Sequence, residues 1–148
     1  MQQRVNIADT LPQVWKAMYN LSGSTASSGL PAGYKHLIKI RASQLNSCAF
    51  CLNMHTQEAL KSGETQQRIF LLSAWRETDL FDEIEKALLA LTEEITLIHQ
   101  HGVSDETYSQ AERFFSPEAI AEIIMSVVTI NAWNRIAVST HSPVERLI

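Results

Sequence analysis

Cysteine is scarce in this chain, with two in 148 residues. Two cysteines cannot build a disulfide scaffold, and a chain of this length needs none, since it can bury about 70% of the surface its unfolded form exposes. Positive charge does not dominate either: 12 Lys and Arg stand against 16 Asp and Glu, a formal net charge of -4, and the basic residues are scattered. The basic stripe or tail that nucleic acid requires is missing. No run approaches the ~18 apolar residues that would span a bilayer. The opening Met1-Gln2-Gln3-Arg4-Val5-Asn6 lacks the apolar centre of a signal peptide. The expectation is one cytoplasmic domain over residues 1–148, with neither nucleic acid nor membrane as partner.

Period-two alternation is absent as well, so every strong signal is helical. Thr10 and Pro12 open a first helix carrying Val14, Trp15, Met18 and Leu21 on its apolar side. Residues 22–29, all small or polar, read as a flexible connection. Pro31 suits the first turn of a second helix to about Asn46, and a third runs from near Cys48 to Ser62-Gly63. A fourth covers about Thr65 to Trp75, and a longer one runs from Phe81 to Gln100. Ser104 caps a short helix through Phe115, and Ser116-Pro117 opens the last, through about Val138. That last helix is apolar almost all round, from Ile120 to Val138, so it belongs in the core or partly at a subunit interface. The fold class is all-α, with about six to seven helices, in an oligomer.

Chemistry concentrates in Cys48-Ala-Phe-Cys51-Leu-Asn-Met-His55. Steps of three, four and seven residues return to one helix face, so both sulfurs and the imidazole share a stripe. In the cytoplasm such a pair is catalytic or metal-binding more often than structural. A disulfide between them would close a tiny loop and restrain the unfolded chain very little. A thiol reacts as its thiolate, so its pKa must come down from about 8.5. The first turn of a helix favours that negative charge, and His55 can accept the proton. One cysteine would then be attacked or oxidised and the other would resolve it. Zinc is the competing use of the same atoms, with Cys48, Cys51, His55 and His36 as four ligands of a non-enzymatic metal-binding or scaffold protein.

The stretch from Leu37 to Thr56, containing Arg41, Ser43, Gln44, Asn46, Cys48, Ala49, Cys51, Met54 and His55, resembles the core of the alkylhydroperoxidase D-like (AhpD-like) proteins. These belong to the carboxymuconolactone decarboxylase superfamily. The run Ile130-Asn131-Ala132-Trp133-Asn134-Arg135 is similar to the closing helix of one branch of them. The resemblance implies an all-helical fold in trimers or hexamers that reduces hydroperoxides through a CxxCxxxH dithiol–disulfide cycle. A thiol or a lipoyl-bearing donor protein would return the electrons, with no bound cofactor or metal. Carried over by position, Cys48 and Cys51 are the redox pair, with Cys51 the peroxidatic one and Cys48 resolving, and His55 belongs to the proton relay.

Two positions depart from that pattern. His36 stands where the family usually has a glutamate; it is a fourth candidate catalytic residue, since a histidine can also relay protons, but two histidines would compete for one proton, lowering the pKa of at least one ring. Phe50 replaces a second relay histidine, which points to core packing. A decarboxylase-type enzyme acting on a small lactone acid shares the fold but has no need of paired thiols. Elsewhere, Glu93 and Glu94 are expected mainly at the surface, Asn134 and Arg135 at helix ends or an interface, and Tyr34 near the site or in the core. His99 and His101 suit a helix C-terminus, His141 an exposed position, and Trp15, Trp75 and Trp133 the core or an interface.

Overall fold

The computed structural model describes residues 2–145, and among them every regular element is helical. The order is α1 (Ile7–Thr10), α2 (Pro12–Ala26), α3 (Ala32–Leu45), α4 (Ala49–Lys61) and α5 (Gln66–Leu71). A 3-10 segment (Leu72–Glu77) precedes α6 (Glu83–Thr96), α7 (Ile98–His101), α8 (Asp105–Glu112) and α9 (Pro117–Thr140). The all-α expectation holds, but these nine α-helices exceed the expected six to seven.

Each difference has a local cause. The polar stretch from Ser22 is not a free connection, because α2 continues to Ala26. Its hydroxyls turn back on their own helix: Ser22 donates to the Met18 carbonyl at 3.0 Å and Ser24 to the Asn20 carbonyl at 3.1 Å. The helix expected from Phe81 to Gln100 starts at Glu83 and breaks at Leu97, whose ψ of 32° leaves the helical range. Its start is sealed by a capping box between Asp82 and Glu85. The expected caps Ser104 and Ser116 both accept from a backbone N–H in the first turn, and Gly63 ends the α4 region at a φ of +96°.

The core lies where α3, α6 and α9 meet, around Ile38, Ile40, Leu88, Leu91, Ile123 and Val127. Outside it, α4 packs against α3 and α9. The apolar face of α9 is only partly covered: Met125, Val128 and Val138 are exposed in the single chain.

Glu93 corrects the surface expectation. It is 8% exposed and accepts from Arg41 Nε at 2.6 Å, Trp75 Nε1 at 2.8 Å and Arg76 at 2.6 Å. The three donors hold its pKa below the ordinary 4.5 although burial pushes the other way. Glu94 is likewise engaged, accepting from the Ser104 backbone and the Thr107 hydroxyl at the start of α8. Tyr34 stacks edge-on against Phe115 in the core, and His141 is a half-buried C-cap of α9.

Replacing Glu93 leaves the Arg41 guanidinium, 12% exposed, without a counter-charge. Glu93→Ala is therefore expected to cost about 3 kcal/mol or more, read as a lower urea midpoint with helicity followed by circular dichroism.

Candidate redox site

The site begins at the corner between α3 and α4. Ser47 takes the left-handed conformation, with a φ of 53°, and turns the chain through about one residue. The Cys48 N–H then donates back to the Ser43 carbonyl at 3.0 Å. A buried amide lattice from α9 holds this corner. Asn46 donates to Asn131 at 3.0 Å and to Asn134 at 2.9 Å, while Asn134, fully buried, donates to the Ser43 hydroxyl at 3.0 Å. Asn134 thus does more than finish a helix end, whereas Arg135 folds back onto Asn131 of its own helix.

Cys48 is the N-cap of α4, and its sulfur accepts the Cys51 N–H at 3.4 Å. Cys48 and Cys51 are paired as a disulfide, with Cα atoms 5.4 Å apart. Both lie at a helix start whose unpaired N–H groups favour a thiolate once the bond is reduced. They differ in access. Cys51 borders a pocket of about 380 Å3 between α2, α3, α4 and α9, whereas Cys48 lies behind it. Trp15, Tyr19 and Trp133 form one wall of the pocket in a mutual edge-to-face cluster, the closest ring centroids 5.0 Å apart. Phe50 also borders it and is 37% exposed, so it is not the core residue expected.

His55 follows Cys51 by one turn and faces the same pocket. Its Nδ1 lies 2.8 Å from Glu58 Oε2. Burial lowers its pKa from the ordinary 6.5; Lys39 and, less, His36 push the same way, and the Glu58 carboxylate opposes them. The net effect favours the neutral ring. With Nδ1–H donated to Glu58, Nε2 keeps the lone pair that can take a proton.

His36 does not join this group. Its Nε2 meets the Ser62 hydroxyl at 3.2 Å at the other end of α4, its buried Nδ1 has no partner, and it does not border the pocket. Its pKa is also lowered, by burial first and then by Lys39. Among the described residues no three His, Cys, Asp or Glu side chains converge as a metal site. Sequence reasoning missed Glu58, Lys39 and the pocket function of the aromatics. Glu58 was legible, three residues after His55 on one helix face; Trp15 and Trp133 come together only in the tertiary fold.

The carboxymuconolactone decarboxylase family model matches residues 12–94, which takes in α2 to α5, most of α6 and the whole cysteine–histidine stripe. The chain belongs to that family, as an AhpD-like member. It is 42% identical over 139 residues to the uncharacterized protein YdfG of Bacillus subtilis (strain 168), covering 94% of this chain and 95% of that one. It is 39% identical to ATU0492 of Agrobacterium tumefaciens, a protein of unknown function provisionally named as antioxidant defence protein AhpD. That crystal structure superposes with a TM-score of 0.96 over 99% of this chain and 100% of the other. The debrominase Bmp8 shares the fold at a TM-score of 0.82 and 21% identity, over 93% of this chain and 74% of its own.

Because Glu58 raises the His55 pKa while burial, Lys39 and His36 lower it, Glu58→Gln should lower it further, read from the His55 ring protons in an NMR titration. Folding favours the neutral ring, so the unfolded chain binds more protons below pH 6.5. Stability is then complete above the unfolded value and falls as pH drops through 6.5 toward the folded pKa. A His55→Asn variant should flatten that part of the curve.

Proposed function

We propose that this chain is a thiol-dependent peroxidase, a disulfide oxidoreductase that turns over through Cys48 and Cys51. One observation carries the reading: a cysteine pair at bonding distance whose second sulfur, with a neutral buried histidine beside it, meets a pocket. In the reduced state His55 Nε2 draws the proton from Cys51, and the helix N-terminus supports the thiolate. The thiolate attacks the outer oxygen of a hydroperoxide. An S–O bond forms, the O–O bond breaks, and the alcohol leaves with the proton held by the imidazolium. Cys48 then attacks the sulfenic sulfur, closing the S–S bond and releasing water. The net change is hydroperoxide plus two thiols to alcohol, water and one disulfide. An external dithiol, free or lipoyl-bearing on a donor protein, restores the pair by exchange.

In this reading His36 stands apart from the proton transfer, and copies of the chain associate over the apolar face of α9. A second reading draws on the aromatic wall beside Cys51, which suits a flat ring: reductive dehalogenation, in which an aryl halide and two thiols give the arene, halide and the disulfide. Its support is the pocket chemistry, since Bmp8 contributes the fold alone.

Thiol titration of the reduced protein tests the peroxidase reading, and bromide release from a brominated aromatic under the same conditions tests the second. One equivalent of cumene hydroperoxide should consume both thiols and yield one intramolecular disulfide, and Cys51→Ser should lose turnover by at least about a thousandfold. Full peroxide consumption by a single-cysteine variant would overturn the mechanism, and tight zinc at one per chain would favour a metal-binding role.

A further inference from the structure

The pocket over Cys51 has an uneven polar inventory. Most of its polar groups are already engaged: Lys35 donates to the Ala26 carbonyl at 2.7 Å and the Ser28 carbonyl at 2.8 Å, and Glu58 holds His55. Ser22 accepts the Trp133 indole N–H at 2.6 Å, and Thr129 donates to the Met125 carbonyl at 2.7 Å. Two groups stand out against these. The Lys39 ammonium, half-buried on α3, makes no hydrogen bond or ion pair among the described residues. The Ser126 hydroxyl on α9, in a residue 7% exposed, is buried without a partner. Both border the pocket. A buried hydroxyl left unbonded is costly, so a bound ligand that satisfies it gains affinity.

Charge points the same way. Two lysines and one glutamate border the pocket, and with His55 neutral the local balance is positive, in a chain whose formal net charge is -4. The remaining surface is apolar and largely aromatic, and about 380 Å3 accommodates a small molecule rather than a peptide segment.

We infer that the pocket binds small aromatic or branched hydrocarbon molecules carrying a carboxylate, which Lys39 holds while the apolar body lies against Trp15, Tyr19 and Trp133 and the Ser126 hydroxyl donates to a further oxygen. This rests on the peroxidase reading for what happens next: the substrate is a carboxylate-bearing hydroperoxide, whose O–O bond is cleaved at Cys51 as above while the carboxylate is unchanged. Lys39 is then a specificity-determining residue, touching the part of the substrate that does not react.

The test has two arms, both at pH 8, above the ordinary imidazole value of 6.5. In the first, the disulfide form is titrated with 2-naphthylacetate and with the uncharged 2-(2-naphthyl)ethanol, by calorimetry and by quenching of tryptophan fluorescence. The carboxylate should bind about tenfold more tightly than the alcohol. Lys39→Met should erase that advantage without changing alcohol binding, and Ser126→Ala should weaken the carboxylate about threefold. Equal affinity of the two ligands for the wild-type protein, or an undiminished preference in Lys39→Met, overturns the inference.

In the second arm, the reduced protein is given cumene hydroperoxide and its para-carboxylate. A lower KM for the carboxylate than for cumene hydroperoxide, with the ratio of the two KM values brought to one in Lys39→Met, is the expected result. Binding preference without turnover of either hydroperoxide would leave the anion site standing and remove the peroxidase reading. Turnover of both with equal KM would do the reverse.

Discussion

Everything at the site depends on how α3 is joined to α4. The corner contains Ser47 in a left-handed conformation, which costs a non-glycine residue about 1 kcal/mol or more. The network of Ser43, Asn46, Asn131 and Asn134 offsets that strain with buried and half-buried hydrogen bonds drawn from a helix more than eighty residues away in sequence. Because those amides are satisfied only in one register, the start of α4 is set to a single residue. Cys48 then becomes the cap, Cys51 falls in the first turn and His55 one turn further on. A shift of one residue would rotate the stripe by about 100° and carry the second sulfur away from the pocket.

In the proposed cycle, that placement divides the labour between the sulfurs. Both are almost wholly excluded from solvent in the disulfide form, yet Cys51 forms part of the pocket surface and Cys48 lies under the corner. The hidden sulfur is reachable by its partner but not by a bulky reagent, a sound arrangement for a resolving group. His55 is tuned by opposing neighbours: burial, Lys39 and His36 keep the ring uncharged, and Glu58 orients it without fully protonating it. The family's usual glutamate is absent at position 36, but a carboxylate still meets His55, supplied by Glu58 from the same helix.

What could be read from the chain was local. The cysteine–histidine stripe, the stop at Gly63, and the caps Ser104 and Ser116 rest on interactions spanning at most four residues, and the structure has them where the spacing puts them. The errors follow from the same rule. Ser22 to Ala26 looked like a connection because hydroxyl side chains disfavour helices in isolation; here they bond within the helix while Trp133 anchors Ser22 from outside. Glu93 looked solvated because carboxylates usually are, and its three donors come from α3 and the 3-10 segment, far off in sequence. Lys39 and Ser126 were invisible as pocket residues because nothing local distinguishes them from any other half-turn of α3 or α9.

One helix differs from the rest in how it is attached. No residue of α2 is fully buried, and it is held mainly by the aromatic edges of Trp15 and Tyr19 against Trp133 and by the Ser22 contact. Detaching it would leave the central core intact, so its amide protons should exchange with deuterated solvent through partial opening, at a small fraction of the global unfolding free energy. A loosening of α2 alone would then open a way to the sulfurs, with no change at the corner between α3 and α4.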